Sequence, residues 1–193
     1  MVCIALGCEA NPPANGPAKS YETLERMTQE AQWDEAIPEW RRFLLDHPEN
    51  SGAHFYLGRC YLNSETARWR LPLAEGEFET ALALFLRQGK QSPIEGFSAR
   101  YFAFRCHIEA VKVCFEQMLF LLDTDIPNDL KNGYLQGLLA KCEEAYKKAE
   151  AIVPDSPDLI NAARMLEQAR IAARQLKTDR PTPTTTSGPR YHI

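Results

Sequence analysis

The side chains most suited to catalysis are scattered through this chain of 193 residues. His54 and His107 fall within predicted helices, His47 precedes a proline in a predicted turn, and His192 lies near the end of the sequence. None of them has a nucleophile or a second ligand at the spacing of a catalytic motif. The sequence also lacks GxSxG, HExxH and Gly-rich phosphate-loop signatures. We therefore predict that the protein is not an enzyme and uses no cofactor.

The cysteines do not form a metal-binding pattern, because no CxxC pair or paired-histidine spacing is present. Four of them occupy apolar positions of predicted helices: Cys60, Cys106, Cys114 and Cys142. Small thiols at such positions favour tight packing between buried helices. A disulfide such as Cys60–Cys106 is the alternative, and the sequence does not decide between the two. We predict no metal site.

The side chains most suited to binding a partner are those of Arg68, Trp69 and Arg70, which precede Pro72 between two predicted helices. A guanidinium group offers planar pairs of donors to carboxylates and phosphates, and an indole ring offers a rigid apolar surface. An exposed Trp69 between two arginines suits a partner surface that is both anionic and apolar. The alternative is that Trp69 packs on the long helices that follow it.

Helices must position these groups, because apolar residues recur at helical spacing along most of the chain. The predicted helices span about residues 20–31, 33–46, 51–67, 74–88, 93–122, 128–152 and 157–177. Asn50 or Ser51 caps the third helix, and the capping box Ser92-Pro93-Ile94-Glu95 starts the fifth. The stretch 101–122 is rich in apolar residues but carries charges, which indicates a buried helix rather than a membrane span.

Composition bounds the class of protein. The hydrophobic fraction of 45% and the chain length are typical of one globular domain. The formal net charge of −4 gives no support for non-specific binding to nucleic acid. We therefore predict a single helical domain that does not bind nucleic acid.

A pattern of small and aromatic residues resembles the tetratricopeptide repeat family. The signature residues are Leu57, Gly58, Tyr61, Ala81, Phe85 and Pro93, with His54 where the family usually has Trp. The spacing of 12 residues from Ala81 to Pro93 recurs from Ala36 to Pro48, with Trp40 as its aromatic residue. It recurs in degenerate form from Cys142 to Pro154, with Tyr146. A helical bundle without repeats is the alternative.

The resemblance covers about residues 19 to 178 and implies a right-handed solenoid of three helix pairs with a final capping helix. The interval of 24 residues between Leu57 and Ala81 exceeds the family pattern. The second and third pairs are therefore expected to contain longer helices or inserted loops. Gly58 is expected to let the second helix of its pair approach closely.

The resemblance also implies a concave binding groove on the first helix of each pair. The predicted groove residues are Tyr21, Glu25, Phe55, Arg59, Asn63, Phe97, Arg100, Phe104 and His107. Arginines among aromatic residues are typical of binding hot spots. The alternative for Phe97 and Phe104 is that they belong to the core. The Lys and Asn residues with which some family members bind a terminal carboxylate are absent, so that mode is not expected.

The two ends differ from the central domain. Within residues 1–18, an apolar stretch ends at Cys8 and a Pro-rich linker follows. This segment resembles a truncated bacterial lipoprotein signal. Acylation of Cys8 would tether the protein to the membrane, facing the periplasm, and an ordinary cytoplasmic start is the alternative. Residues 179–193 are rich in Pro and Thr and are predicted to be a disordered tail.

The predicted function is that of a scaffold that binds a protein or peptide segment with acidic and apolar side chains. Two alternatives belong to other classes. One is a structural subunit of an oligomeric assembly, and the other is a sensor that binds a small molecule or lipid between the long helices. The sequence does not indicate the partner's identity or the oligomeric state.

Overall fold

A computed structural model describes residues 19–89 and 92–178. These residues form α1 (Tyr21–Gln29), α2 (Trp33–Asp46), α3 (Ser51–Asn63), α4 (Ala67–Gln88), α5 (Ala99–Leu122), α6 (Asn128–Ile152) and α7 (Pro157–Thr178). The described part contains no strand, so the predicted all-α class is confirmed. No helix within these two ranges is long and apolar enough to cross a membrane.

Local capping residues begin several helices. The side chain of Asn50 accepts a hydrogen bond of 2.9 Å from the Ala53 amide at the start of α3. Ser20 accepts one of 3.4 Å from the Thr23 amide at the start of α1. These bonds satisfy amides that have no partner within the helix. The boundaries of α2 and α6 are those that the sequence predicts.

The helices pack in overlapping groups of three. Each helix contacts the next one in the chain, and in addition α1 contacts α3, α3 contacts α5, and α5 contacts α7. Each even-numbered helix therefore forms a group with the odd-numbered helices before and after it. In the described part, the backbones of α4 and α6 stay apart, which leaves a cleft between them with α5 as its floor. The ion pair between Lys141 of α6 and Glu75 of α4 bridges the two helices.

Aromatic residues dominate the core of the N-terminal half. Trp40, Phe55, Phe78 and Phe102 are all at most 2% exposed and bring together α2, α3, α4 and α5. A second cluster joins α5, α6 and α7 through residues such as Ile108. Because α5 contributes to both clusters, it links the two halves of the domain.

A buried hydrogen-bond network fixes α1 against α2. The indole nitrogen Nε1 of Trp40 donates to Thr28 Oγ1 over 2.9 Å. The Thr28 hydroxyl donates in turn to the Leu24 carbonyl over 3.0 Å. Both Trp40 and Thr28 are fully buried, so these bonds satisfy groups that water cannot reach.

The segment 68–72 is helical, which corrects the prediction that it connects two helices. Ser64 has an extended backbone and donates a hydrogen bond of 3.2 Å to the Tyr61 carbonyl, so α3 ends earlier than expected. The chain then turns and α4 begins at Ala67, with Pro72 inside its N-terminal half. The extra residues between Leu57 and Ala81 thus extend a helix instead of forming a loop.

The start of α5 also differs from the prediction. The capping box at Ser92 does not begin the helix, because Gly96 has a φ of +77° that interrupts helical geometry. Ser92 Oγ instead accepts from the Ile94 amide over 3.2 Å within a turn. The helix begins at Ala99, where Ser98 caps it by accepting from the Tyr101 amide over 3.1 Å.

The four helical cysteines are buried and free, as the packing interpretation predicts. The alternative disulfide between Cys60 and Cys106 is therefore absent from the structure. The segments predicted as linker and tail, 1–18 and 179–193, lie outside the described residues, and so does Cys8.

Candidate functional site

The residues predicted for one groove do not share one surface. Phe55 is only 1% exposed, so the prediction that its ring lines an open groove is wrong. Its ring lies 5.7 Å from that of Phe78 and 5.4 Å from that of Phe102, measured between centroids. Three helices converge on this ring, which leaves no path for a ligand.

Phe104 is likewise fully buried, and the alternative interpretation as a core residue is the correct one. Its ring stacks against Tyr101 with centroids 5.7 Å apart. Phe97 precedes α5, is partly buried and meets Tyr101 edge-on at 4.8 Å. Only Arg100 among the predicted residues at this end is exposed.

His107 lies away from the other predicted groove residues. It lines the cleft between α4 and α6, together with residues such as Phe78 and Lys148. Arg105, two positions earlier on α5, instead pairs with Asp158 of α7 over 2.8 Å. Since residues two apart point to different sides of a helix, His107 and Arg105 serve different surfaces.

Tyr21 and Glu25 of α1 meet α3 at its N-terminal half. The Tyr21 ring packs among those of Trp40, Phe43 and Tyr56, and burial raises the pKa of its hydroxyl. Glu25 accepts a hydrogen bond from the hydroxyl of Tyr56. Burial, followed by this bond, raises the pKa of Tyr56, so the phenol stays protonated. Glu25 is therefore held in place by a buried donor.

Arg59 of α3 is a predicted groove residue whose charged group is available to a ligand. Its guanidinium carbon lies 5.6 Å from the centroid of the Trp33 ring on α2. Over residues 19–89 and 92–178, the guanidinium group makes no hydrogen bond or ion pair. Asn63, which is exposed, donates its amide to the Arg59 carbonyl over 2.7 Å. We call Glu25, Trp33, Arg59 and Asn63 the Arg59 face.

Sequence reasoning missed Trp33 as a part of this face and Tyr56 as the buried residue that supports it. Trp33 opens α2, and nothing in its sequence context indicates that its ring will lie beneath an arginine of the next helix. Tyr56 is buried and acts from below, since it orients Glu25 through its hydroxyl. Only the crossing of α1, α2 and α3 brings these side chains together.

In the second predicted surface, residues 68–70, the tryptophan is exposed and both arginines are paired with carboxylates. Trp69 is 73% exposed, although its ring meets Phe120 of α5 edge-on at 5.4 Å. Arg68 lies 5.3 Å above the same Phe120 ring and pairs with Asp123. Arg70 pairs with Asp34 over 2.9 Å. Both guanidinium groups thus already have carboxylate partners, so this segment offers an exposed indole rather than an uncompensated cation.

Within the described ranges, no group of three or more His, Cys, Asp and Glu residues is arranged to hold a metal ion. Comparison of the chain with models of protein families, with curated proteins and with solved structures found no match.

Proposed function

We propose that the protein is a non-enzymatic scaffold of tetratricopeptide-like helix pairs that binds a segment of a partner protein on the Arg59 face. The pairs are α1 with α2, α3 with α4, and α5 with α6, and α7 covers the end of the array. The overlapping groups of three helices support this interpretation. So does the complete burial of Ala36, Ala81 and Cys142, the residues that recur in the sequence pattern.

The single observation that carries the proposal is the free guanidinium group of Arg59 above the Trp33 ring. A cation at this distance from an indole is attracted to the ring, which limits the side chain's motion before a ligand arrives. The planar donors of the group then remain available to a carboxylate. An acidic side chain of the ligand is the natural partner.

The surroundings of Arg59 indicate a mixed ligand rather than a purely acidic one. Glu25 is held nearby by Tyr56, so a second carboxylate on the ligand would meet a like charge. Trp33, beneath Arg59, and Leu62, three residues after Arg59 on α3, are partly buried apolar residues. We therefore propose a ligand segment in which an acidic residue alternates with apolar ones.

A peptide selection tests this function on the full chain. Random heptapeptides displayed on phage are selected, and the affinities of the synthetic peptides are measured by calorimetry. Enrichment of Asp or Glu beside apolar residues is expected. Arg59→Ala is expected to weaken binding by more than about 1 kcal/mol, as removal of a hot-spot residue does. Arg59→Lys is expected to recover only part of the loss, because it lacks the planar donors.

Arg164→Ala is the matched control, since Arg164 is an exposed arginine on the distant helix α7. It should leave the affinity unchanged. If none of the selected peptides binds more weakly to Arg59→Ala than to the unmodified chain, the Arg59 face is not a peptide site and the proposal fails. Circular dichroism of each variant separates lost binding from lost folding.

A further inference from the structure

The cleft between α4 and α6 is distinct from the Arg59 face and has the features of a second binding site. It has a volume of about 290 Å³, at the lower end of the range for small-ligand pockets. Phe78 and Leu82 of α4, Ala110 of α5 and Ala145 of α6 supply its apolar lining. A space of this size suits one or two side chains of a larger molecule.

His107 enters this cleft with unused hydrogen-bonding capacity. Across the described residues its ring nitrogens make no hydrogen bond to protein. Burial, and then the charge of Lys148, lower the pKa of His107, while Glu144 partly opposes them. A neutral imidazole has one donor and one acceptor, which a peptide backbone can match with its carbonyl and amide.

The charges at the rim are not balanced. Lys141 is committed to Glu75 over 2.5 Å, and Lys148 to Glu144 over 2.6 Å. Glu75 also accepts from the Gln117 amide over 2.8 Å. Glu79, one turn after Glu75 on α4, is exposed and has no hydrogen bond or ion pair within 19–89 and 92–178. The charge left over at the cleft is therefore negative.

We propose that this cleft binds a second partner segment, which inserts one apolar side chain between α4 and α6 and places a Lys or Arg against Glu79. The apolar lining accounts for the inserted side chain, His107 for a contact to the segment's backbone, and Glu79 for its cation. This ligand has the opposite charge to the one proposed for the Arg59 face. Two faces of one scaffold would thus hold two different segments.

The same phage library tests the cleft independently of the first proposal. Clones selected on the full chain are sorted by their binding to Glu79→Lys and to Arg59→Ala. We expect a group that carries Lys or Arg next to an apolar residue and that loses at least about 10-fold in affinity with Glu79→Lys, as expected for an interface ion pair turned into a repulsive contact. Arg59→Ala should not affect this group.

Two further variants locate the binding site. Ala110→Leu fills the lining and should weaken the same clones, whereas Glu116→Lys, an exposed reversal of charge on α5 outside the cleft, should not. The imidazole NMR signals of His107, assigned with His107→Gln, should shift when a synthetic peptide from this group is added. Circular dichroism confirms that each variant is folded.

Three outcomes would overturn the proposal. The first is that no selected clone depends on Glu79, and the second is that the dependent clones lack a basic residue. The third is that n-pentylammonium alone displaces these peptides at concentrations equal to their own, which would assign the cleft to a small amine instead of a protein segment. The clones that bind the Arg59 face form a separate group. Failure of the cleft proposal therefore does not affect the proposed function, and failure of the proposed function does not affect the cleft proposal.

Discussion

Gly58 of α3 lies against the ring of Phe78 of α4, so that a Cβ atom at position 58 would come within 2.9 Å of Phe78 Cε1. This close approach is the one that the sequence predicts for Gly58. Phe78 is 2% exposed and packs against Phe55, so its ring has little room to move away. The crossing of α3 and α4 therefore depends on the absence of a side chain at residue 58.

Gly58→Ala should destabilise the protein by up to about 2 kcal/mol. Replacing glycine by alanine within a helix stabilises the folded state by up to about 1 kcal/mol. Forcing the added methyl group into a packed contact costs about 1–3 kcal/mol. Gly137→Ala in α6 is the control, because no atom lies within 4 Å of a Cβ there. It should stabilise the protein by about 0.5–1 kcal/mol. Urea unfolding measures both, and equal effects would show that Phe78 can yield.

Phe55→Ala should destabilise the fold by about 3–5 kcal/mol, the usual cost of removing a buried aromatic ring. The reason is its position between Phe78 and Phe102. Phe97→Ala should cost less, since Phe97 is only partly buried. The measurement is again the free energy of unfolding. A stable Phe55→Ala protein that had lost peptide binding would instead place this ring at a ligand surface.

His54 stands where the repeat family usually has Trp, and it connects α3 to its surroundings through both ring nitrogens. Its Nδ1 lies 2.5 Å from a Glu77 carboxylate oxygen, and its Nε2 lies 2.9 Å from the Pro48 carbonyl. A carboxylate and a carbonyl both accept, so this geometry favours the imidazolium form, in which both ring nitrogens donate. Burial lowers the pKa of His54, but the bonds to Glu77 and Pro48 outweigh it and the net pKa is raised.

The raised pKa predicts how stability depends on pH. The contribution of His54 is fully present below the ordinary histidine pKa of about 6.5 and is lost as pH rises through the higher pKa of the folded state. Relative to His54→Gln, the unmodified protein should therefore lose stability above about pH 6.5. The contribution of His107, whose pKa is lowered, cancels because both proteins contain it.

Urea midpoints at several pH values between about 5 and 9 measure this difference around the ordinary histidine pKa. His47→Gln is the control, because His47 is exposed in the turn before α3. A constant difference between His54→Gln and the unmodified protein would contradict the imidazolium assignment.

The buried thiols should be unreactive until the protein unfolds. Burial raises the pKa of Cys60 and Cys142 to about 11 and that of Cys114 to about 12, so few thiolates exist at neutral pH. In a variant with Cys3→Ser and Cys8→Ser, Ellman's reagent should label no thiol quickly in the native state. In denaturant it should label all four remaining thiols. Only two labelled thiols would reveal a disulfide.

Most of the helices could be predicted from the sequence, because their boundaries depend on nearby residues. Ser20 and Asn50 cap α1 and α3 through bonds to amides three residues away. The error at the start of α5 has a local cause too. Ser92 and Glu95 have the spacing of a capping box, but Gly96 adopts a positive φ and the helix begins after it. A pattern of residue types does not reveal which of two serines six residues apart, Ser92 or Ser98, acts as the cap.

The sequence by itself determined the helical class and the need for a small residue at position 58. It favoured tight packing of the helical cysteines, but the structure decided that these thiols are free. The tertiary structure decided which surface each predicted site residue reaches. Helical periodicity shows which residues share a face, but the packing of neighbouring helices determines whether that face is covered. Phe55 is buried because α4 and α5 converge on it, whereas Arg59, one turn later on α3, remains partly exposed above Trp33.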